Sequence, residues 1–300
     1  MPGRVNIAAD LALGTVQWGL DYGIANRHGK PSRGEVRRLL DRAANVGITT
    51  LDTARAYADS EDVIGQLVGD AAPWRVFTKL DPTVETVGDA SNSLQASRKA
   101  LKRSMLDGVL LHRARQRAIA DGGVWDLLQR ERDAGRICHI GISAASPDEA
   151  WAALEDPSVT CVQVACSLFD QRLSRAGFFS ECHRRGLLVF VRSVFLQGAA
   201  HLAPENLPAH LRELRDPLRT IHLWAAERQT RPTTAFLAFA ASLVGASILL
   251  GCETTAQLDD NLAQWDFARK AASEIGSLAD SMVGLAPEVL NPALWPKVAI

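Results

Sequence analysis

Four polar side chains stand where apolar runs of the sequence end. Asp52, Lys79 and His112 each close an apolar, β-branched run, and Tyr57 follows Asp52 by five residues. If these runs are neighbouring strands of a parallel barrel, their carboxyl ends open onto one pocket. The sequence therefore predicts that a carboxylate, a phenol, an ammonium and an imidazole meet at the mouth of a barrel.

This combination of groups suits proton donation to a carbonyl oxygen. A free phenol has a pKa of about 10 and is too weak an acid to be effective at neutral pH. At ~4 Å and an effective dielectric of ~20, an ammonium attracts the phenolate by about 4 kcal/mol, or about three pKa units, against less than about one unit in bulk water. We therefore expect Lys79 to lower the pKa of Tyr57 in a shielded pair, Asp52 to hold Lys79, and His112 to hydrogen-bond the substrate oxygen.

Each of the four residues also has a simpler interpretation. An Asp–Lys salt bridge, a core tyrosine and a hydrogen-bonded histidine are all common in folded proteins. The presence of all four at the ends of successive strands favours a functional site over this alternative.

The elements that must position these residues alternate between strand-like and helix-like patterns. Strands are predicted at residues 11–16, 48–51, 74–79, 107–112, 137–143, 160–166, 187–192 and 246–250. Helices are predicted at about 32–45, 61–68, 91–103, 124–134, from 146, and at 178–185, 218–229, 233–243 and 256–265. Eight such units predict an α/β fold, a single (β/α)₈ TIM barrel over residues 1–300.

An open, doubly wound sheet is the second possibility. That fold expects a glycine-rich phosphate turn after its first strand, but the segment GTVQWG at residues 14–19 does not fit GxGxxG. The sequence contains no linker rich in serine, glycine or charge that would divide the chain. The barrel is therefore the preferred prediction.

Composition limits the possible partners. The chain has 300 residues, 47% of them hydrophobic, and a net charge of −1, so charge gives no case for nucleic acid or an anionic membrane. The first residues lack a signal-peptide core, and no segment is long and apolar enough to span a bilayer. Five cysteines without CxxC spacing predict buried free thiols rather than disulfides or a metal site. We expect a cytoplasmic protein, and its oligomeric state stays open.

Short motifs extend along nearly the whole chain. They are DTARAY (52–57), SEDVIG (60–65), FTKL (77–80), LLH (110–112), GIS (141–143), VQV (162–164), VRSVFLQG (191–198), GCETT (251–255) and Asn261. In this order they resemble the motif set of the aldo-keto reductase family. The resemblance implies a (β/α)₈ barrel that binds a nicotinamide cofactor in extended form and reduces aldehydes or ketones by hydride transfer. It also implies that Tyr57 is the general acid, that Lys79 and Asp52 tune it, and that His112 orients the carbonyl.

The resemblance also assigns residues to the cofactor. These are Thr15, Ser143, Gln163, Arg192, Ser193, Gly198, Thr254, Gln257 and Asn261. Ser143 and Gln163 would hydrogen-bond the nicotinamide carboxamide. Arg192 stands where many members carry an aromatic residue that stacks on the nicotinamide, and a planar guanidinium can also stack.

The identity of the dinucleotide is predicted from the same resemblance. The family usually binds NADPH through cations at the 2′-phosphate, so NADP(H) is expected. Residues 251–261, however, contain no lysine or arginine and carry Glu253, Asp259 and Asp260, which keeps NAD(H) possible.

Trp18, Tyr22 and Arg113 follow the first and fourth strands and are expected to line the substrate pocket, with rim packing as the alternative. The polar side chains near the mouth suggest a small polar carbonyl substrate, such as a sugar-derived compound. Two other functions stay open at this point. One is a redox-neutral epimerase that retains its cofactor, and the other is a nucleotide-binding regulatory subunit.

Overall fold

Eight parallel strands close into a barrel in the computed structural model, which describes residues 8–70, 73–119 and 121–296. The strands are β1 (Asp10–Gly14), β2 (Thr50–Asp52), β3 (Arg75–Lys79), β4 (Leu106–Leu111), β5 (Ile137–Ser143), β6 (Cys161–Ala165), β7 (Leu188–Arg192) and β8 (Ala246–Gly251). Each strand pairs with the next, and β8 pairs with β1. The predicted (β/α)₈ barrel is confirmed, and the open sheet is wrong because this sheet has no edge.

Helices surround the barrel and extend beyond it. They are α1 (Val16–Gly19), α2 (Arg33–Asn45), α3 (Ser60–Leu67), α4 (Val87–Leu101), α5 (Gly123–Asp133), α6 (Pro147–Leu154), α7 (Arg172–Arg175), α8 (Phe178–Arg185), α9 (Arg215–Glu227), α10 (Pro232–Ala241), α11 (Thr255–Ala271), α12 (Gly276–Asp280) and α13 (Pro287–Leu290). Short 3₁₀ segments lie at Ala114–Ala118, Leu196–His201, Pro204–Asn206, Ala209–Leu214 and Pro292–Leu294.

The helix α4 begins earlier than predicted because a capping box, rather than the apolar periodicity, sets its first residue. The Thr86 hydroxyl accepts a hydrogen bond from the Asp89 amide at 3.0 Å, and the Asp89 carboxylate accepts one from the Thr86 amide at 3.0 Å. This reciprocal capping box starts the helix at Val87 instead of residue 91. The last barrel helix, α11, is also longer than predicted and ends at Ala271.

The interior of the barrel is filled by a small apolar cluster. Its members are Ala12, Phe77, Leu110, Cys161, Phe190 and Leu249. The rings of Phe77 and Phe190 pack with their centroids 4.6 Å apart. A Cβ atom on Gly108 would lie 2.1 Å from the Phe77 ring, so β4 makes room for this ring by carrying no side chain there. Because residues two apart on a strand share a face, Lys79 projects to the same interior above Phe77.

Strand register brings the predicted residues to one edge. Asp52, Lys79 and Ser143 are the last residues of β2, β3 and β5, and His112 directly follows β4. Ser143 lies beside Gln163 of β6 in the pairing of these strands. The carboxyl ends of the parallel strands thus form one mouth, as the prediction required.

The structure corrects the expectation for one cysteine, and the predicted domain extends past the described residues. Cys138 is exposed, so the prediction of buried thiols is wrong for this residue. The prediction of one domain over 1–300 stays a prediction, and its ends, residues 1–7 and 297–300, lie outside the described residues. Within the described ranges, none of the helices has the length and apolar character needed to cross a membrane.

Candidate active site

A buried ion pair stands at the centre of the barrel mouth. The ammonium of Lys79 donates to Oδ1 of Asp52 at 2.6 Å and to the carbonyl oxygen of Thr53 at 2.8 Å. The amide of Gln163 donates to the same Asp52 oxygen at 2.7 Å. Lys79 is 1% exposed and Asp52 4% exposed. Three strands therefore converge on a charged pair that is almost fully removed from water.

Tyr57 lies against this pair. The nitrogen Nζ of Lys79 is 5.1 Å from the centroid of the Tyr57 ring. The ring is presented by a tight loop in which the Tyr57 amide donates to the Ala54 carbonyl at 3.0 Å and the Ser60 amide donates to the Tyr57 carbonyl at 2.9 Å. Ala58 takes a left-handed φ of 46° to close the turn. The predicted meeting of phenol and ammonium is present in this geometry.

The pKa of Tyr57 differs from the expectation. Burial raises the pKa of the phenol, the Lys79 ammonium lowers it, and the Asp52 carboxylate raises it again, so the net direction is upward. The expected net lowering is wrong because the desolvation cost exceeds the attraction of Lys79. For Lys79, burial lowers the pKa while Asp52 and Tyr57 raise it, and the net direction is upward. The site therefore holds a protonated phenol beside a charged ammonium.

The loop that carries Tyr57 is fixed by a close backbone approach from β1's exit. A Cβ atom on Gly19 would lie 1.8 Å from the carbonyl oxygen of Tyr57 and 2.8 Å from the Ser60 amide. Only a residue without a side chain fits at this contact. Gly19 thus sets where the Tyr57 loop sits relative to β1.

We expect Gly19→Ala to push the Tyr57 loop away and to destabilise the fold by ~1–3 kcal/mol, the usual cost of overpacking. Urea unfolding measures this loss. Gly34→Ala is the matched control, because its Cβ would meet only Ser32 and Arg38 side-chain atoms at 3.8 and 3.9 Å. A Gly19 variant as stable as the Gly34 variant would contradict the close approach.

His112 completes the mouth as a half-buried imidazole. Burial lowers the pKa of His112 to about 4, with smaller lowering by Lys79, Arg113 and Arg192. Its Nδ1 is buried, and no group in the described part of the chain hydrogen-bonds to it. His112 is therefore neutral at physiological pH and can offer a hydrogen bond without adding charge.

The lowered pKa of His112 predicts a pH-dependent loss of stability. Since the folded pKa of about 4 lies below the ordinary 6.5, the unfolded chain takes up this proton first as pH falls. The free energy of unfolding should therefore fall between pH 6.5 and 4, and should fall less in His112→Gln. Urea unfolding across this range tests it, with the exposed His28→Gln as control. Equal pH dependence in all three proteins would contradict the assignment.

A cavity of about 340 Å³ opens beside the ion pair. Its inner wall includes Asp52, Tyr57, Gln163 and Arg192 at the centre of the barrel mouth. From there the cavity extends outward past β1 and β8 to the first turns of α11. Its wall therefore includes both Tyr57 at the barrel mouth and Gln257 and Asn261 of α11.

The residues predicted to bind the cofactor fall into two groups. The cavity is lined by Thr15, Gln163, Arg192, Ser193, Gly198, Gln257 and Asn261. Ser143 and Thr254 are not on its wall. The Ser143 hydroxyl lies 3.3 Å from Oε1 of Gln163, and the Thr254 hydroxyl accepts from the Gln257 amide at 3.2 Å as the N-cap of α11. Each of the two residues is therefore hydrogen-bonded to a residue of the cavity wall and is not itself part of the wall.

The fold places the three predicted substrate-pocket residues in three different environments. Tyr22 lines the cavity and its hydroxyl accepts from Gln197 Nε2 at 2.9 Å. Trp18 is 1% exposed, and its indole donates to the Cys252 carbonyl at 3.3 Å, so its predicted lining role is corrected to core packing. Arg113 is exposed and lies off the cavity wall.

Sequence reasoning missed two kinds of residue. Gln17 and Glu253 line the cavity although neither was assigned to it. Glu61 is fully buried and accepts from Thr78 at 2.6 Å and Arg55 at 2.5 Å, which ties the Tyr57 loop to β3. The sequence does contain a signal for Glu61. It lies three residues before Ile64, on the apolar face of α3, where a carboxylate must be buried.

Comparison with known proteins bears on this geometry. A family model described as the aldo/keto reductase family matches residues 10–281. Uncharacterized oxidoreductases of Mycobacterium bovis and Mycobacterium tuberculosis are each 27% identical over 88% of this chain and 86% of their own length.

Solved structures share the fold. An aldo-keto reductase from Klebsiella pneumoniae in complex with NADPH aligns with a TM-score of 0.69 at 19% identity, over 93% of each chain. The glycerol dehydrogenase of Gluconobacter oxydans aligns with a TM-score of 0.70 at 17% identity, over 96% of this chain and 97% of that one.

Proposed function

The chain belongs to the aldo-keto reductase family, and from this premise we propose that it is an NAD(P)H-dependent oxidoreductase that reduces an aldehyde or ketone with Tyr57 as proton donor. The observation that carries the proposal is the buried Lys79 ammonium, bonded to Asp52 at 2.6 Å and 5.1 Å from the Tyr57 ring. Because a buried ion pair adds little net stability, its presence beside a phenol supports a catalytic role.

The cavity fits a nicotinamide dinucleotide. Its wall includes Tyr57 as well as Gln257 and Asn261 of α11, and Oε1 of Gln17 on this wall is a buried acceptor without a partner among the described residues. NAD(P)H, when bound, supplies the hydride. Gln163, Arg192 and Ser193 would hold its reacting half beside Tyr57, and Gln257 and Asn261 would contact its other half.

The proton moves from Tyr57. Its raised pKa keeps the hydroxyl protonated in the resting site, and the proton is transferred only as the carbonyl oxygen gains negative charge. The Lys79 ammonium stabilises the phenolate that remains. Asp52 and the Thr53 carbonyl keep this ammonium in place, so both are positioning groups for the acid.

His112 contributes a neutral hydrogen bond. With its pKa lowered to about 4, the imidazole can donate to the carbonyl oxygen without competing with Tyr57 as an acid. Such a donor aligns the carbonyl and stabilises the charge that develops on oxygen. The substrate that we propose is a small polar carbonyl compound, such as a sugar-derived one, because Tyr22 and Arg192 both face the cavity.

Reduced cofactor and a panel of carbonyl compounds test this function. We expect cofactor oxidation with at least one polar aldehyde or ketone, together with transfer of deuterium from labelled cofactor to the carbonyl carbon. Cofactor that copurifies and does not exchange would instead favour a redox-neutral epimerase. Failure to bind either dinucleotide would contradict the proposal.

A further inference from the structure

Glu253 is a largely buried residue whose carboxylate faces the cavity and has no partner among the described residues. The residue is 8% exposed and lines the cavity. Its backbone amide donates to Gln257 Oε1 at 2.7 Å, but no donor in the described part of the chain bonds to its side chain. The carboxylate oxygens stay open to the cavity, so a ligand that displaces water from them must supply a hydrogen-bond donor in its place.

A second carboxylate, that of Glu35, lies at the N-terminus of α11. Oε1 of Glu35 accepts from the Thr255 amide at 2.5 Å and from the Thr255 hydroxyl at 2.7 Å. These hydrogen bonds, with those from Arg38, lower the pKa of Glu35 to about 2. A helix N-terminus is a ready site for an anion, and here the protein's own anion fills it.

Two arginines that reach α11 are paired with carboxylates of that helix. Arg42 is paired with Asp259 at 2.5 Å. Arg231 is paired with Asp260, which itself lines the cavity and accepts from Gln264 at 3.1 Å. Among the described residues that line the cavity beside α11, a phosphate group would meet the carboxylates of Glu253 and Asp260 and no lysine or arginine.

The part of the ligand that reaches this region follows from the proposed function. With the reacting end of a dinucleotide at Tyr57, its other half would reach the part of the cavity beside α11. Glu253 lines this part and directly precedes the N-cap of α11, so the adenosine ribose would lie near it. A hydroxyl on that ribose can donate to the carboxylate, whereas a 2′-phosphate would be repelled by it.

Resting on the proposed function, we infer that Glu253 accepts a hydrogen bond from the adenosine ribose and that the chain binds NAD(H) in preference to NADP(H). This differs from the NADP(H) expected from the family resemblance. The difference arises because Glu253 supplies negative charge, and no lysine or arginine lines the cavity beside α11 to supply the positive charge that a 2′-phosphate requires.

The dissociation constants of NADH and NADPH test the inference directly. They are measured by calorimetry or by quenching of tryptophan emission, without turnover. We expect NADH to bind at least about tenfold more tightly, equivalent to ~1.4 kcal/mol. In Glu253→Gln, the ratio of the NADPH to the NADH dissociation constant should fall by about tenfold, because NADPH binds more tightly and NADH more weakly. We expect a similar fall in Glu253→Ala.

Asp259→Asn is the matched control. It removes a carboxylate from the same segment, but this one is exposed, paired with Arg42 and absent from the cavity wall. Its effect on the ratio should stay within about twofold, less than ~0.4 kcal/mol.

The possible outcomes distinguish a failure of this inference from a failure of the proposed function. Equal or tighter binding of NADPH by the wild-type chain would overturn the preference and leave the oxidoreductase intact. An unchanged ratio in both Glu253 variants would overturn the role of Glu253. Binding of neither dinucleotide would overturn the proposed function itself.

Discussion

Replacing Tyr57 with phenylalanine is expected to lower kcat by about 10²–10⁴-fold, the usual contribution of a positioned general acid. The ring keeps its packing beside Lys79, but the proton for the carbonyl oxygen is lost. Steady-state rates with the best carbonyl substrate measure this effect. Calorimetry should show that affinity for the dinucleotide changes by less than about threefold.

The chain offers a matched control, since Tyr22 and Tyr57 are its only tyrosines. Tyr22→Phe removes a hydroxyl that faces the same cavity and accepts from Gln197 at 2.9 Å. Its effect on kcat should stay below about tenfold, because it supplies no proton. Equal kcat losses in the two variants would remove the reason to name Tyr57 as the acid.

The second large effect is expected from Lys79→Met. This change leaves Asp52 buried without its cation, and breaking one side of a buried pair costs ~3–5 kcal/mol. It also removes the charge that stabilises the phenolate of Tyr57. We therefore expect loss of stability in urea and, under conditions where the variant stays folded, loss of kcat.

Two further variants separate stability from catalysis. Asp52→Asn combined with Lys79→Met removes both charges, so the double variant should be less destabilised than the sum of the single ones. It should remain inactive because no ammonium faces Tyr57. Lys30→Met breaks the exposed pair with Asp59, and its cost should stay below ~1 kcal/mol. Activity restored in the double variant would contradict the role of Lys79.

The elements of the barrel could be predicted because their signals are local. In α2, the Ser32 hydroxyl accepts from the Glu35 amide at 3.2 Å, and the residues with helical spacing, such as Val36 and Leu40, are buried. Element ends were predicted less well. The start of α4 depends on reciprocal hydrogen bonds between Thr86 and Asp89, and the apolar periodicity of the helix does not reveal them.

The residues of the site could be predicted from the sequence, but the direction of the Tyr57 pKa shift could not. Asp52, Tyr57 and Lys79 could be grouped because strand ends of a parallel barrel share one mouth. Whether burial or the ammonium dominates the pKa of Tyr57 depends on how much water reaches the phenol. That quantity is a property of the packed structure, and it reversed the expected direction.

The sequence by itself determined the fold class and the chemical groups at the barrel mouth, because strand period and residue type are encoded along the chain. Only the tertiary structure decided which side chains face the cavity. It placed Trp18 in the core, Glu253 on the cavity wall, and Glu35 against the first turn of α11. These contacts join residues far apart in sequence, so no local pattern specifies them.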